Sequence, residues 1–222
     1  MADIINRDEQ EAALAKALAR EFNRMRLRLM TLLPELERMM GNVAPEEWQE
    51  HRSKLNQAVR PLMSSTYLQQ AQQMLDDFPF IGVEWGLVNE AAAEWAKKYT
   101  FDLVTNLVDT SERTLQKLIP KFFEEQMTQN ELREALSPLF GSVRAEMIAR
   151  TEVTRAASEA EQGMARELEE QGIHMTPVWQ TREDELVCPI CGPKADKPIE
   201  DDEFPPAHPR CRCWVTYELP KA

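Results

Sequence analysis

All four cysteines of the chain lie between residues 188 and 213, and this clustering constrains the fold more than any other feature of the sequence. They form two groups, Cys188-x2-Cys191 and Cys211-x-Cys213, and His208 precedes the second group in the run HPRCRC. A two-residue gap lets two thiolates reach one ion from a tight turn, and a second pair closes the loop around it. The spacing therefore predicts a structural metal site, with zinc as the ion.

Five side chains compete for the four coordination positions that zinc offers. The leading set is Cys188, Cys191, His208 and Cys211. A strand through residues 211–216 would place Cys211 and Cys213 on the same face, so an all-cysteine site with His208 outside it stays open. Either set fills the tetrahedron and leaves no position for water, and a closed zinc site is structural rather than catalytic.

The N-terminal part of the chain has the apolar periodicity of helices. Pro34 is expected to kink or break the first helix near Leu33. Pro45 opens a second helix that Pro61 is expected to end, and a further helix is predicted over about 65–75. Spacings of three and four residues define an apolar stripe on the first helix. The stripe consists of Phe22, Met25, Leu29, Leu32, Leu36 and Met39.

Pro79, Gly82 and Gly86 interrupt the helical pattern and predict a boundary between an N-terminal region, residues 1–80, and a body, residues 81–222. In the body, helices are predicted over residues 85–171. Within them Thr128 and Glu131 form a capping box, and Gly141 and Gly172 mark helix ends.

Strands are predicted at 176–181 and 214–217, on either side of the cysteines. The predicted fold is thus mostly α: a helical N-terminal region and a helical body, followed by a small C-terminal β-hairpin and zinc-knuckle tail over residues 176–217.

The charge of the chain argues against some classes of partner. The formal net charge is −12, which disfavours strong non-specific binding to nucleic acid, and only weak contact with DNA is expected. The arginines between residues 20 and 28 are balanced by Glu21, Glu35 and Glu37 and indicate a solvated face. No run approaches the roughly 20 apolar residues of a membrane span, so no membrane partner is expected.

The sequence contains no glycine-rich phosphate loop and no H-E-x-x-H motif, so we expect no enzymatic activity. Two other functions compete with a structural role. A zinc-braced nuclease of the His-Asn-His type needs a catalytic histidine, and His208 already serves as a candidate ligand. A zinc-ribbon nucleic-acid adaptor would use Arg210 and Arg212, in a segment, 151–222, whose net charge is −7.

Three segments in order carry a resemblance to a known family. They are IARTEVTRA at 148–156, WQTREDELVCPIC at 179–191 and FPPAHPRCRCWV at 204–215. Together they resemble the Mu F-like minor head proteins of tailed bacteriophages, also called phage head morphogenesis proteins, over roughly residues 85–217. Residues 1–80 carry no motif of that family.

The resemblance implies a low-copy structural protein of the phage head that associates with the portal protein and acts in head morphogenesis, with a role in DNA packaging or ejection. It names major capsid or scaffold proteins as further partners. The implied location is the virion, inside the head near the portal, and the host cytoplasm during assembly. It implies no catalysis by this module.

The residues of these motifs are expected to be structural, tying the helix to the metal knuckle. In that role Arg150 or Arg155 would pair with Asp184, and Trp179 would be a core anchor. The structural set is Arg150, Thr151, Glu152, Trp179 and Asp184.

Two alternatives stay open for residues 1–80. The apolar stripe of the first helix could dock into a groove of the portal protein, or it could pack on the body as part of a helical bundle.

Overall fold

Long α-helices precede a small sheet in the computed structural model, which describes residues 3–38, 42–79, 84–182, 184–200 and 203–219. The helices are α1 Arg7–Arg38, α2 Pro45–Asp77, α3 Trp85–Glu124, α4 Gln129–Phe140 and α5 Ser142–Glu170. The strands are β1 Thr176–Gln180, β2 Lys197–Pro198 and β3 Trp214–Glu218, with a 3₁₀ turn at Gly192–Lys194. No helix in these ranges is long and apolar enough to cross a membrane.

The helices continue through prolines that were expected to interrupt them. α1 runs through Pro34, and α2 runs through Pro61, so the predicted helix end at Pro61 is wrong. A proline in a helix interior costs roughly 3 kcal/mol. Burial on both sides of Pro61 offsets this cost, because each fully buried aliphatic side chain contributes roughly 1.5–3 kcal/mol. The fully buried side chains on this stretch of α2 are Leu55, Val59 and Met63.

The predicted helix ends after α3 are confirmed. The Thr128 hydroxyl accepts from the Glu131 N–H at 3.2 Å, and the Glu131 carboxylate accepts from the Thr128 N–H at 2.7 Å, which is a complete capping box. At the end of α5, Gly172 has φ +83°, a conformation that favours glycine. Its N–H donates to Glu169 O at 2.9 Å and the Ile173 N–H donates to Leu168 O at 2.9 Å, which is the Schellman arrangement.

One hydrophobic core joins the N-terminal helices to the body. The described part of the apolar stripe on α1 is buried, with Phe22 1%, Met25 3% and Leu29 1% exposed. This stripe shares a cluster with side chains of α2, α3, α4 and α5. The stripe therefore packs on the body as part of a helical bundle, which is the second of the two alternatives. Met39, the last residue of the stripe, lies outside the described residues.

The expected boundary near residue 80 falls at 80–83, which includes Gly82 and lies outside the described residues. Side chains on both sides of this boundary share one hydrophobic core. A functional division of the chain at this point stays a prediction.

The sheet is antiparallel, with β1 in the centre and the strand order β2-β1-β3. Trp179 on β1 lies opposite Val215 on β3 and Lys197 on β2. The two predicted strands are confirmed, and β2 is an addition that pattern reasoning could not find, because two residues show no alternation. β3 also packs on α5, and this contact places the cysteine-rich segment against the helices.

A buried carboxyl group connects α5 to α2. Glu161 is 7% exposed, and its Oε1 accepts from Gln70 Nε2 at 2.7 Å. Burial raises the pKa of Glu161 to about 7, with Asp77 adding to the effect and Gln70 opposing it. The folded chain therefore holds this proton more tightly than the unfolded chain, whose glutamates titrate near pH 4.3.

We expect Glu161→Gln to stabilise the protein at pH 8 and to have a much smaller effect at pH 5. The stability that the protonated carboxyl provides is fully present below the unfolded pKa and is lost as the pH rises through about 7. A neutral amide removes this loss, which is on the order of 3 kcal/mol for a shift of this size. Urea midpoints at the two pH values measure it. Glu170→Gln, at an exposed position of the same helix, is the control. Equal effects of Glu161→Gln at both pH values would contradict the titration.

Candidate metal centre

Two tight turns present the candidate ligands. In the first turn, the N–H groups of Cys191 and Gly192 both donate to Cys188 O, at 3.2 and 2.9 Å, and the Cys191 N–H also lies 3.4 Å from the Cys188 sulfur. In the second turn, the Cys211 N–H donates to His208 O at 3.1 Å. Both turns fold their ligand side chains to one side, as the C-x-x-C spacing predicted.

The five candidate side chains converge. His208 Nε2 lies 3.0 Å from the Cys188 sulfur and 3.4 Å from the Cys191 sulfur, and the sulfurs of Cys191 and Cys211 are 3.9 Å apart. Two overlapping triplets result, Cys188–Cys191–His208 and Cys191–Cys211–Cys213, each with ligand atoms within 4.8 Å of one another. Sulfur atoms in a tetrahedral zinc site are about 3.8 Å apart, given a Zn–S bond of about 2.3 Å. The donor set and its spacing therefore fit a metal ion, with Cys191 at the centre of the group.

His208 is oriented as a metal ligand would be. Its Nδ1 lies 2.8 Å from Pro209 O, and a carbonyl oxygen can only accept, so Nδ1 carries the hydrogen. In the neutral ring Nε2 then has a free lone pair, and it points at the sulfurs of Cys188 and Cys191. Metal-binding histidines use the second ring nitrogen in this way, to a carbonyl or a carboxylate. The Pro209 carbonyl also raises the pKa of His208, which burial opposes.

The four thiols have different proton affinities. A hydrogen bond from Cys213 lowers the pKa of Cys211 to about 5, and the N–H groups of Cys213 and Ala207 add to it against the effect of burial. Burial raises the pKa of Cys188, but hydrogen bonds from the neighbouring N–H groups bring it below its ordinary value. Burial and the charge of Cys211 raise the pKa of Cys191 to about 12. The hydrogen bond to Cys211, together with burial, raises the pKa of Cys213. Thiolates packed this closely repel one another, and a bound cation is what removes that repulsion.

Helix α5 supports the second turn through two threonines. The Thr151 hydroxyl accepts from the Arg210 N–H at 3.0 Å, and Arg210 has φ 65°, which turns the chain between His208 and Cys211. One turn further along the same face, the Thr154 hydroxyl donates to Cys211 O at 3.2 Å. The motif predicted a structural role for Thr151 but not for Thr154, although the spacing of three residues within IARTEVTRA places both on one face of a helix.

The expected ion pair between Arg150 or Arg155 and Asp184 is not formed. Asp184 accepts both guanidinium N–H groups of Arg212 instead, and that hydrogen bond lowers its pKa. Arg150 pairs with Glu11 of α1 at 3.3 Å, and Arg155 lies 3.6 Å from Glu152. Arg150 thus joins α5 to α1 and Arg155 pairs within α5, whereas Asp184 and Arg212 lie together on the tail.

The remaining motif residues are buried beside the helices and the turns. Glu152 is 6% exposed and accepts from the Tyr99 hydroxyl at 2.6 Å, which links α5 to α3. Burial raises the pKa of Glu152 against the effects of Tyr99 and Arg155. Trp179 is 1% exposed and packs with Cys191 and the other buried cysteines, and Lys194 Nζ lies 4.9 Å from the centroid of its ring. Sequence and structure thus place these residues in the framework around the candidate ligands.

Comparison with known proteins gives one match. The model of the family described as phage Mu protein F like protein matches residues 113–216, which include the end of α3, all of α4 and α5, and every candidate ligand. No curated protein and no solved structure matches the chain. This family is one of phage head morphogenesis proteins, whose role in the head is structural. Over residues 113–216, the chain is therefore similar to the phage Mu protein F like family.

Proposed function

We propose that the protein is a minor structural component of the head of a tailed phage, bound at the portal vertex, and that its tail is folded around one zinc ion. The family match over residues 113–216 carries this proposal. The protein is made in the host cytoplasm and is retained in the virion. Its partners are the portal protein and, during assembly, the major capsid or scaffold proteins.

Zinc fits the donor set better than magnesium or calcium does. Thiolate and imidazole ligands suit zinc, whereas magnesium and calcium prefer oxygen ligands. We assign Cys188, Cys191, His208 and Cys211 as ligands, because the orientation of His208 leaves its Nε2 free to bind. Cys213 is then the fifth candidate, hydrogen-bonded to Cys211.

On this assignment Cys213→Ser retains the metal and His208→Ala loses it. The opposite result would favour the all-cysteine site.

A full set of four protein ligands makes the ion structural. Both ring nitrogens of His208 have a role in the turn, which leaves neither of them for general base catalysis. What the ion contributes is folding energy, because it holds together two turns that have little core of their own. The same reasoning weighs against the nuclease alternative.

Contact with the portal has to use a surface other than the apolar stripe of α1, since that stripe is buried. Three exposed arginines of α1 are also paired with carboxylates. Arg20 and Arg24 pair with Glu21, and Arg28 pairs with Glu47, so this face offers DNA little free positive charge. Contact with other head proteins is therefore a better explanation of binding in the head than contact with DNA.

The decisive experiment is an asymmetric reconstruction of the head that contains this chain. We expect density for the helical bundle at the portal vertex and co-purification of the chain with portal protein. A distribution of the chain over the whole capsid shell, or its absence from heads, would overturn the proposal.

Incubation of purified protein with plasmid and magnesium or manganese tests the nuclease alternative. We expect uncut DNA. Cleavage that is lost in His208→Ala, but retained in the exposed control His174→Ala, would establish the nuclease instead.

A further inference from the structure

The segment Cys211–Cys213 carries two candidate ligands but belongs to no regular strand. Its carbonyl groups need partners, since a buried carbonyl oxygen without a hydrogen bond is costly. Among the described contacts, each of the three carbonyl groups accepts a hydrogen bond from the side chain of a helix residue. Cys211 O accepts from Thr154 of α5, whereas Arg212 O and Cys213 O both accept from Arg7 of α1, at 3.0 and 3.4 Å.

The side chain of Arg7 is buried, and it contacts Asp3 and Trp214. Its side chain is 3% exposed, and its Nε lies 2.8 Å from Asp3 Oδ1. The guanidinium carbon lies 5.6 Å from the centroid of the Trp214 ring, in a cation–π position. The planar fork of the guanidinium donates to two carbonyls at once, which a lysine ammonium cannot reproduce with the same geometry.

The rest of the N-terminal turn fastens to the same region. Asp3 bridges Arg7 and Arg182, with its Oδ2 at 2.9 Å from Arg182 Nε. Asp8 lies 3.6 Å from Arg182, the second residue after β1. The Ile5 N–H donates to Gln70 Oε1 at 3.3 Å, which ties the turn to α2. The turn at residues 3–8 therefore contacts the chain on both sides of the candidate ligands.

We propose that Arg7 is a positioning residue of the metal centre, which holds the Cys211–Cys213 segment in the geometry that binds the ion. The N-terminal turn is on this view a supporting part of the site, 205 residues away from Arg212 in sequence. This inference rests on the proposed zinc site. It adds to that site a partner outside the matched family region, residues 113–216.

Coupling of this kind acts in both directions. If docking of the N-terminal turn favours metal binding, metal binding must favour docking of the turn by the same factor. Removal of the ion should therefore loosen the N-terminal turn, and hydrogen exchange at the amides of the turn should detect this. The Arg7 N–H donates to Ile4 O and the Gln10 N–H donates to Asn6 O, at 3.3 and 3.0 Å.

The test is the zinc affinity of the full-length chain, measured by competition with a chromophoric chelator. Loss of a residue that supports a metal ligand typically weakens affinity roughly 10- to 100-fold, and we expect Arg7→Ala to fall in that range. Arg7→Lys, which keeps the charge near Asp3 but loses the fork, should lie between Arg7→Ala and wild type. Arg20→Ala, at an exposed arginine of the same helix, should leave the affinity unchanged.

A second control separates positioning from general loss of stability. Leu132→Ala removes a fully buried side chain of α4, a helix that packs on α1, α3 and α5. It should destabilise the chain and leave zinc affinity within about twofold of wild type, on the premise that distant sites act independently. Equal affinities of Arg7→Ala and wild type would overturn the inference and leave the zinc site standing. Wild-type protein without zinc affinity would overturn the proposed site itself.

Hydrogen exchange gives the reciprocal measurement. In wild type, removal of zinc should speed exchange at Arg7 and Gln10 by more than at the amides of α4, which serve as the internal reference. Equal changes in the two regions would contradict coupling between the turn and the metal.

Discussion

Replacement of both Cys188 and Cys191 by serine is expected to abolish zinc binding and to unfold the tail. Purified wild-type protein, made without added metal, should contain close to one zinc per chain by elemental analysis, and the double variant should contain almost none. Structural zinc supplies on the order of 10 kcal/mol in small peptide sites, which is comparable to the total stability of a domain. Hydrogen exchange in β1 and β3 measures the loss of the tail.

The control for this experiment lies in the same turn. Leu186 and Ile190 are 76% and 59% exposed, and Ile190 stands between the two cysteines. The double variant Leu186→Ser, Ile190→Ser should therefore keep its zinc and its folded tail. Wild-type protein that is folded but free of metal would defeat the prediction, as would equal loss of zinc in both double variants.

Deletion of residues 1–80 is expected to leave an insoluble remainder. α1 and α2 contribute many of the fully buried side chains of the main core, among them Leu14, Leu18 and Leu55. Without these two helices, α3 and α5 would expose the faces on which they pack, and exposed apolar patches of more than a few hundred Å² promote aggregation. Sedimentation and light scattering of the truncated chain measure the outcome.

Supplying residues 1–80 as a separate chain gives the matching control. Co-expression of residues 1–80 as a separate chain should restore solubility to the remainder, because the same core can then form between two chains. A truncated chain that is soluble and folded but no longer binds portal protein would instead support a docking role for residues 1–80. Retained portal binding by that soluble remainder would exclude such a role.

Sequence reasoning recovered the fold class and the later helix ends because local signals determine them. The capping box of Thr128 and Glu131 and the left-handed Gly172 depend on neighbouring residues, which the sequence displays directly. The helix through Pro61 was missed because its stability comes from tertiary burial, which outweighs the local preference of proline.

The candidate metal site was predicted in part for the same reason. The converging cysteines and His208 followed from spacing, since both turns are local. The partners of those turns did not follow, because they come from distant segments. The Asp184 pair was assigned to the wrong arginine, and Thr154 and Arg7 were missed, since charge and motif membership do not reveal which helix faces the tail.

The bond between Arg7 and Cys213 O also constrains how the chain is made. It joins residues 206 positions apart, so the first helix leaves the ribosome long before its partner exists. At a synthesis rate of roughly 5–20 residues per second, α1 waits on the order of 10–40 s for the last strand. During that interval its apolar stripe can be covered by α2 and the later helices, and its N-terminal turn can contact Gln70 of α2 but not yet the cysteine-rich segment. The contact between the first helix and the cysteine-rich segment is therefore a late event in folding, because it cannot form until Cys213 has been synthesised.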